Sequence, residues 1–376
     1  MIKVLFITGS RSEYDLLFNT INLFSSSKKY KCHLAITGSH LSTKYGKSLK
    51  FIKKNRKITY HKVNIMVNNS VSKSIANSMS NTIKKFDLLY KKIKPSIILV
   101  VGDRFEAFSA VTAAKLNLIP VAHFHGGETT LGAYDNYWRH CISIMSNIHF
   151  VSNTLYKKKV DKITNNSSKS YVVGALGIDN IKKIKFKNKT LLKKELKFHF
   201  NLNNILIVFH SLSKSPNLNK KYFTNLVKAS RSIPNTNIFI SYPGHDLGSD
   251  YIIEEIQKLK RLKSNNIFIF KNLGMNNFLS LLKVCDIILG NSSSGIFEAP
   301  YLNTLTINIG NRQQGRLIDK TVYNCNPDQL KIINKIKLLL RIIKNKNKPK
   351  SKKIYGNGKA SLRAFKIINN VDLKKL

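Results

Sequence analysis

The chain has 376 residues, of which 43% are hydrophobic, so it is long enough for two domains with cores of ordinary size. Its 64 lysines and arginines outnumber its 19 acidic residues and give a formal net charge of +45. Because only ten of the basic residues are arginines, and because the lysines are scattered over many predicted surface helices, we do not expect a specific nucleic-acid-binding function.

The sequence also argues against a membrane or secreted protein. It contains no run of about 18 apolar residues, the length that a transmembrane helix needs. Residues Met1–Gly9 form a short apolar segment that ends in a glycine turn, which predicts a first β-strand and not a signal peptide. The four cysteines are widely spread without a C-x-x-C pair. We therefore expect neither a zinc site nor a disulfide framework, and a cytoplasmic location.

Apolar runs typical of β-strands alternate with amphipathic segments along the chain, which is the pattern of parallel sheets built from βα units. In the first half, strands are predicted at Lys3–Thr8, Lys31–Thr37, Ile97–Val101, Pro120–Phe124, Ile148–Val151 and Tyr171–Val173. In the second half, strands are predicted at Ile205–Phe209, Ile238–Ser241, Ile267–Phe270, Ile287–Leu289 and Leu305–Ile309. Helices are predicted at Ser74–Lys92, Glu106–Leu116 and Lys359–Asn370.

Two consecutive series of this kind predict an α/β protein with two Rossmann-like, doubly wound domains and a substrate cleft between them. We expect the first domain at residues 1–176 and the second at residues 177–357, with the boundary near Gly174–Asp179. The C-terminal segment, residues 358–376, is expected to pack back on the first domain as a helix.

The first predicted strand ends at a glycine turn, Gly9-Ser-Arg-Ser-Glu-Tyr14, that opens a helix. A helix N-terminus offers unpaired N–H groups to an anion, and the fork of Arg11 would add a phosphate contact. An ordinary turn without a ligand explains the same residues equally well.

The densest group of charged residues follows the predicted strands Ile97–Val101 and Pro120–Phe124. It contains four carboxylates, two arginines and three histidines, namely Asp103, Glu106, Glu128, Asp135, Arg104, Arg139, His123, His125 and His140. Ligands bind at the ends of strands in open α/β sheets. Carboxylates and arginines gathered there indicate acid–base chemistry on an anionic substrate.

A second polar group follows the predicted strand Ile287–Leu289 and reads Asn291-Ser-Ser-Ser-Gly-Ile-Phe-Glu298. Small hydroxyl residues before a helix offer backbone amides and hydroxyls to a diphosphate, and Glu298 could accept hydrogen bonds from ribose hydroxyls. The alternative is a helix cap in which Ser294 and Glu298 act as a capping box. Arg312 and Arg316 follow in the glycine-flanked turn after Leu305–Ile309, which favours a nucleotide diphosphate.

Histidines near these groups have two interpretations. His210 ends a predicted strand, so its ring is a candidate ligand contact. Four others, His123, His125, His140 and His149, could suggest a metal, but their spacing along a strand and across a loop does not build a tetrahedral set. No metal site is therefore predicted.

Seven motifs together resemble the UDP-N-acetylglucosamine 2-epimerase family, in particular its hydrolysing branch from sialic-acid and legionaminic-acid synthesis. In chain order they are Gly9-Ser-Arg, Gly102-Asp-Arg-Phe-Glu, His123-x-His-Gly-Gly-Glu, Asp135-x-x-x-Arg-His, Phe209-His, Asn291-Ser-Ser-x-Gly and Gly310-x-Arg-Gln-x-Gly-Arg. The resemblance implies a GT-B-type fold and conversion of UDP-N-acetylglucosamine and water to N-acetylmannosamine and UDP, without a nicotinamide cofactor or a required metal. It also implies a cytoplasmic homodimer or homotetramer.

The resemblance also assigns roles to residues. Asp103, Glu128 and Asp135 fall in the motifs whose carboxylates serve as acid and base. The uridine-diphosphate-sugar contacts fall on Arg11, Arg104, Arg139, His210, Ser292, Ser293, Glu298 and Arg312. Many relatives carry a catalytic glutamate at the position of His125, so either His125 or Glu128 must take its place. The chain also reads Ser211-Leu212 where a proline is common.

Three other functions compete with this one. The first is the same reaction on UDP-2,4-diacetamido-2,4,6-trideoxyglucose; the motif Thr130-Leu-Gly-Ala-Tyr134 favours UDP-N-acetylglucosamine instead. The second is a GT-B glycosyltransferase, which would need a hydrophobic acceptor groove. The third is a polyanion-binding protein that uses the high positive charge.

Overall fold

The structure is a computed structural model that describes residues 1–42, 48–65, 71–131, 135–166, 168–212, 214–243 and 248–376. The chain divides into two compact units. The first unit consists of Met1–Glu128, Asp135–Lys182 and Tyr355–Leu376, and the second consists of Thr129–Tyr134 and Lys183–Ile354.

A seven-stranded parallel sheet forms the centre of the first unit, with the strand order β3-β2-β1-β4-β5-β6-β7. The strands are β1 Ile2–Thr8, β2 Tyr30–Ile36, β3 Ile58–Lys62, β4 Ile97–Val101, β5 Val121–Phe124, β6 Ile148–Val151 and β7 Lys169–Val172. The central strands are continuous apolar runs, and all five residues of β4 are buried. Such runs are typical of strands that are covered by helices on both faces.

Helices connect these strands and cover the sheet. They are α1 Arg11–Ser26, α2 Val71–Ile93, α3 Phe105–Leu116, α4 Asp135–Ile144, α5 Thr154–Ile163 and α6 Leu176–Lys183, and the C-terminal helix is α13 Ala360–Asn370. Helix α13 packs on α1, where the rings of Phe24 and Phe365 meet edge to face at 5.0 Å. The last segment of the chain thus completes the core of the first unit.

The second unit repeats this arrangement with a six-stranded parallel sheet in the order β10-β9-β8-β11-β12-β13. Its strands are β8 Asn203–Val208, β9 Thr236–Ser241, β10 Ile267–Phe270, β11 Ile287–Gly290, β12 Leu305–Ile309 and β13 Val322–Cys325. Its helices are α7 Lys189–Leu196, α8 Leu218–Arg231, α9 Ser249–Arg261, α10 Gly274–Val284, α11 Glu298–Tyr301 and α12 Gln329–Lys344. Isoleucine-rich strands fill the core between the helices.

The α/β class with two Rossmann-like parallel sheets is confirmed. Every predicted strand has an observed counterpart whose ends differ by at most two residues. The prediction missed β3 and β13, which are both edge strands with only one buried residue each.

The first unit ends at Lys182, six residues beyond the predicted boundary after residue 176. Helix α6 stays with the first unit because Asp179 accepts hydrogen bonds from the backbone N–H groups of Ala360 and Ser361, at 2.9 and 2.7 Å. This carboxylate caps the start of α13 and ties the two helices together.

Among the residues that the structure describes, no helix combines the length and the apolar character needed to cross a bilayer.

Candidate active site: two groups of polar side chains

The turn after β4 holds Asp103 at the carboxyl end of the first sheet. Gly102 adopts a left-handed conformation, φ +80°, that favours glycine. Its N–H donates to the carbonyl of Phe124 at 3.1 Å, and its carbonyl oxygen lies 2.8 Å from Nε2 of His123. Residues of β5 therefore bind both the N–H and the carbonyl oxygen of Gly102, and these contacts hold the backbone that precedes Asp103.

Arg139 links two of the carboxylates that were predicted to form the acid–base group, Asp103 and Glu128. It projects from α4, and its guanidinium donates to Oδ2 of Asp103 and lies 3.5 Å from Oε2 of Glu128. The side chains of Arg139 and Glu128 are 3% and 1% exposed, whereas Asp103 is 23% exposed. The assignment of Arg139 to substrate binding stays a prediction; in the structure its guanidinium lies beside these two protein carboxylates.

Glu128 is held in place by several neighbours. Its Oε1 lies 2.7 Å from Nδ1 of His125 and accepts a hydrogen bond from the hydroxyl of Ser152 at 3.3 Å. The preceding glycine, Gly127, is required because its φ is +76° and because an added Cβ would overlap the carbonyl oxygen of Tyr156. The Gly-Gly step thus lets the chain turn sharply enough to bury Glu128.

Of the other histidines of this region, His123 and His149 belong to the interior of the first unit, whereas His140 is half-buried. Burial lowers the pKa of His123 to about 3, and burial likewise lowers the pKa values of His140 and His149 to about 4. The rings of His123 and His149 are adjacent, with centroids 6.2 Å apart. Neutral, buried rings of this kind are structural. Within the described ranges, no group of three or more His, Cys, Asp or Glu side chains is arranged to hold a metal ion.

The glycine turn after β1 differs from the expected open anion site. Two backbone N–H groups, those of Gly9 and Ser10, donate to Oε2 of Glu13 at 2.7 and 2.9 Å, and Ser10 and Glu13 form a capping box. Burial raises the pKa of Glu13 to about 7. The two amides that could have met an anion here already bind a carboxyl group of the same helix.

Two arginines of the first unit, both assigned to substrate binding, have protein partners. Arg104 donates from Nε and Nη2 to the buried carboxylate of Glu106, at 3.1 and 3.0 Å. Arg11 lies 3.5 Å from Asp15, and its guanidinium sits 4.3 Å from the ring centre of Phe51. Their substrate contacts remain predictions.

Asp135, the third candidate carboxylate, is the first residue of α4, the helix that also carries Arg139. An acidic residue in the first turn of a helix interacts favourably with the helix dipole. The segment before it, residues 132–134, lies outside the described residues, as does most of the motif that favoured UDP-N-acetylglucosamine.

In the second unit, Asn291 connects the ends of β8 and β11. Its side chain accepts a hydrogen bond from the N–H of His210 at 2.7 Å and donates to the carbonyl of His210 at 2.8 Å. Gly290, directly before it, has φ +146°, and a Cβ there would overlap the carbonyl of Val208. This pair of bonds fixes the backbone of His210 at the carboxyl end of the sheet.

The serine run after Asn291 forms a short 3₁₀ turn, Ser293–Gly295. The hydroxyl of Ser292 accepts a hydrogen bond from the N–H of Ser294 at 3.3 Å, so Ser292 is the cap residue of this turn. The alternative pairing of Ser294 with Glu298 is not the one that forms: α11 begins at Glu298 without a side-chain cap. A turn of this kind presents hydroxyls and amides at the end of β11.

The turn after β12 packs against the serine run. Both Nη1 of Arg312 and the side-chain amide of Gln313 donate to the carbonyl oxygen of Asn291, at 3.2 and 2.7 Å. Arg316 donates to Oε1 of Gln313 at 2.7 Å and stacks on the ring of Phe297 at 4.8 Å. Asn291 is therefore the centre of a hydrogen-bond network that joins three strand ends.

A short segment of the second unit, Thr129–Leu131, packs on this same turn. The N–H of Leu131 donates to the carbonyl of Gln314 at 3.1 Å, and an added Cβ at Gly315 would meet the side chain of Thr129 at 2.7 Å. Lys214 donates to the carbonyl of Leu131 at 2.8 Å. This segment directly follows Glu128 in the sequence.

Sequence analysis missed Asn219, which shapes the loop after His210. Its side chain accepts a hydrogen bond from the N–H of Leu212 and donates to the hydroxyl of Ser211, at 2.8 and 2.7 Å. Asn219 is completely buried although it lies in the first turn of α8. Where a proline is common, this chain thus has Ser211 and Leu212, both hydrogen-bonded to Asn219. The sequence did not predict these bonds, because an asparagine at the start of a polar helix is not unusual.

Comparisons with known proteins agree with these motifs. The sequence model of the family described as UDP-N-acetylglucosamine 2-epimerase matches residues 23–369. The chain is 34% identical over 328 residues to the GDP/UDP-N,N'-diacetylbacillosamine 2-epimerase (hydrolyzing) of Campylobacter jejuni, covering 87% of this chain and 85% of that protein. It is 28% identical over 371 residues to the UDP-N,N'-diacetylbacillosamine 2-epimerase (hydrolyzing) of Legionella pneumophila, covering 99% and 96%.

A solved structure has the same fold. The crystal structure of UDP-GlcNAc 2-epimerase from Neisseria meningitidis bound to UDP-GlcNAc superimposes with a TM-score of 0.83 at 21% identity, covering 98% of this chain and all of that one. This likeness confirms the GT-B-type α/β fold that was expected from the motifs.

Proposed function

Because this chain belongs to the UDP-N-acetylglucosamine 2-epimerase family, we propose that it is a hydrolysing 2-epimerase of UDP-linked 2-acetamido sugars. The observation that supports this function most directly is the pairing of Asp103 and Glu128 through Arg139 at the ends of β4 and β5. Two carboxylates held at a fixed separation are what a reaction with two proton transfers requires. The hydrolysing branch is favoured by the two relatives described above.

The first step that we propose is elimination. Asp103 takes the proton from C2 of the sugar, the electron pair of that C–H bond forms a double bond between C1 and C2, and the bond between C1 and the phosphate oxygen breaks. The products of this step are UDP and a 2-acetamidoglucal. We assign the proton removal to Asp103 because it is the most exposed of the linked side chains.

The second proposed step is hydration of the double bond. Water adds its hydroxyl to C1, and a proton is delivered to C2 on the face opposite to the one that lost it, which inverts C2. Glu128 and Asp135 are the candidates for activating this water and delivering the proton, as the resemblance implies. The sugar leaves with a free hydroxyl at C1.

The second unit supplies the contacts to the leaving group in this proposal. Ser292, Ser293 and Arg312 bind the diphosphate, and Glu298 and His210 contact the rest of the nucleotide. Hydrogen-bond donors aimed at the departing oxygen stabilise charge that develops in the transition state. The network around Asn291 supports this role because it fixes the serine turn and the Arg312 turn relative to each other.

Two sugars are candidate substrates. The sequence motif at Thr130 favours UDP-N-acetylglucosamine, whereas the relatives named as N,N'-diacetylbacillosamine epimerases favour UDP-2,4-diacetamido-2,4,6-trideoxyglucose. The two sugars differ only at C4 and C6, away from the bonds that break. We propose that the diacetamido sugar is the better substrate.

A direct comparison tests this proposal. UDP release is measured with a coupled assay on both nucleotide sugars, and the sugar products are identified by NMR. We expect turnover of both with a higher kcat/KM for the diacetamido sugar, and a mannose-configured free sugar as product. A preference for UDP-N-acetylglucosamine would reverse the choice of substrate. Absence of UDP release from both sugars would contradict the epimerase function itself.

A further inference from the structure

The two histidines of the His123-x-His125 motif lie at the end of β5, and each ring has protein groups at both of its nitrogens. His123 is completely buried and His125 is 9% exposed. The identities of the neighbouring groups determine which nitrogen of each ring carries the proton. The two rings differ in this respect.

The groups around His125 favour the tautomer that carries its proton on Nδ1. The backbone N–H of Leu176, the first residue of α6, points at Nε2 at 3.3 Å and can only donate. Nε2 must therefore accept, so the proton of the neutral ring is on Nδ1 and is donated to Oε1 of Glu128 at 2.7 Å. A doubly protonated ring would place two N–H groups against each other.

His123 is protonated on the other nitrogen. The carbonyl oxygen of Gly102 can only accept, so Nε2 of His123 donates to it at 2.8 Å. Nδ1 then accepts a hydrogen bond from the hydroxyl of Ser143 at 3.2 Å, from the same helix that carries Arg139. The burial that lowers the pKa of His123 to about 3 agrees with a neutral ring.

We propose that His123 and His125 are positioning residues which, in opposite neutral tautomers, orient the two carboxylates of the site and transfer no proton themselves. His123 holds the peptide that directly precedes Asp103, and His125 holds Glu128. The inference rests on the proposed function. Of the two alternatives that the sequence left open, it favours Glu128 over His125 as the residue that takes the place of the usual glutamate. A ring whose two nitrogens are both engaged in this way is a poor proton carrier.

The first test reads the tautomers without any turnover. In protein labelled with nitrogen-15 at histidine, long-range proton–nitrogen correlations distinguish a ring protonated on Nδ1 from one protonated on Nε2. We expect the Nδ1 form for His125 and the Nε2 form for His123, with signals assigned by their loss in single variants. A cationic ring or the reverse tautomer at either position would overturn the proposal. If the protein releases no UDP, this test still decides the inference.

The second test separates positioning from proton transfer. His125 has φ +63°, a conformation that both asparagine and glycine adopt more readily than most residues, so His125→Asn and His125→Gly can both keep the backbone of this turn. Asparagine keeps an N–H donor near the position of Nδ1 but cannot transfer a proton at neutral pH. Glycine provides no donor.

We expect His125→Asn to keep kcat within about tenfold of the unaltered enzyme and His125→Gly to lose about 100-fold, with KM changed little in both. Equal losses of about 100-fold in both variants would show that the imidazole itself transfers a proton. Equal, near-normal activity in both would show that Glu128 needs no support from residue 125. Circular dichroism and thermal unfolding check that each variant is folded. If a variant does not fold, the tautomer measurement on the unaltered protein still tests the proposal.

Discussion

At the scale of single residues, the side chains of the acid–base group differ in their access to solvent. Asp103 is 23% exposed, while Glu128 and Arg139 are 1% and 3% exposed. A carboxylate that removes a proton from a substrate must reach it, whereas a buried partner can only orient its neighbours or act on atoms that enter the pocket. Asp103 is therefore the residue whose substitution is most informative.

We expect Asp103→Asn to lower kcat by about 100-fold or more while the Kd for UDP changes less than about tenfold. The amide keeps an oxygen that can accept the hydrogen bond from Arg139 but cannot act as a base. UDP binding is measured by calorimetry. The control is Asp87→Asn on α2, where the carboxylate pairs with Lys91 and accepts a hydrogen bond from Asn117, both at 2.8 Å, and belongs to none of the motifs; its turnover should be unchanged. Normal turnover of Asp103→Asn would remove this residue from the mechanism.

The sequence predicted the members of this group but not their partners. Asp103, Glu128 and Arg139 were recognisable because rare charged residues follow apolar strands. The tautomer of His125 depends on the N–H of Leu176, which lies 51 positions further along the chain. Contacts of this kind arise from tertiary packing and leave no local pattern.

At the scale of secondary-structure elements, the ends of β8 and β11 are joined by close backbone packing. Gly290 has φ +146°, and a Cβ there would overlap the carbonyl oxygen of Val208. Gly310, at the end of β12, has φ +70° but no atom within 4 Å of an added Cβ. Both glycines have a positive φ angle, but only Gly290 lacks the space for a side chain.

We expect Gly290→Ala to lower the free energy of unfolding by roughly 3 kcal/mol or more, because both strain and overlap must be relieved by moving β8 or Asn291. For Gly310→Ala, where only the backbone conformation is unfavourable, the expected loss is about 1 kcal/mol. Urea unfolding followed by circular dichroism compares the two variants. Equal losses would mean that the approach of β11 to β8 is looser than the structure indicates.

Elements were predictable where burial imposed a continuous apolar pattern. Interior strands such as β4 and β8, and the apolar edge strand β10, were placed within two residues, whereas the edge strands β3 and β13 were missed. β3 reads Ile-Thr-Tyr-His-Lys, in which polar residues face solvent on one side. An edge strand is covered by a neighbour on one side only, so its sequence is under weaker apolar constraint.

At the scale of the whole molecule, the chain distributes its candidate chemistry over two units. The carboxylates that would act on the sugar lie in the first unit, and the serine and arginine turns that would bind the diphosphate lie in the second. This division was predictable from the order of the motifs, since each series of strands carries one kind of polar group. It fits the proposed cleavage of the C–H and C–O bonds of the sugar by the first unit while the second unit holds the diphosphate.

In the proposed mechanism, the bond between C1 and oxygen breaks by elimination. Turnover in water labelled with oxygen-18, followed by mass spectrometry of UDP, tests it most directly, because phosphate oxygens do not exchange with solvent whereas the C1 hydroxyl of a free sugar does. Turnover in deuterium oxide, read by NMR at C2, is the companion measurement. We predict unlabelled UDP and one deuterium at C2 of a mannose-configured sugar. Oxygen-18 in UDP, with hydrogen retained at C2, would contradict the account.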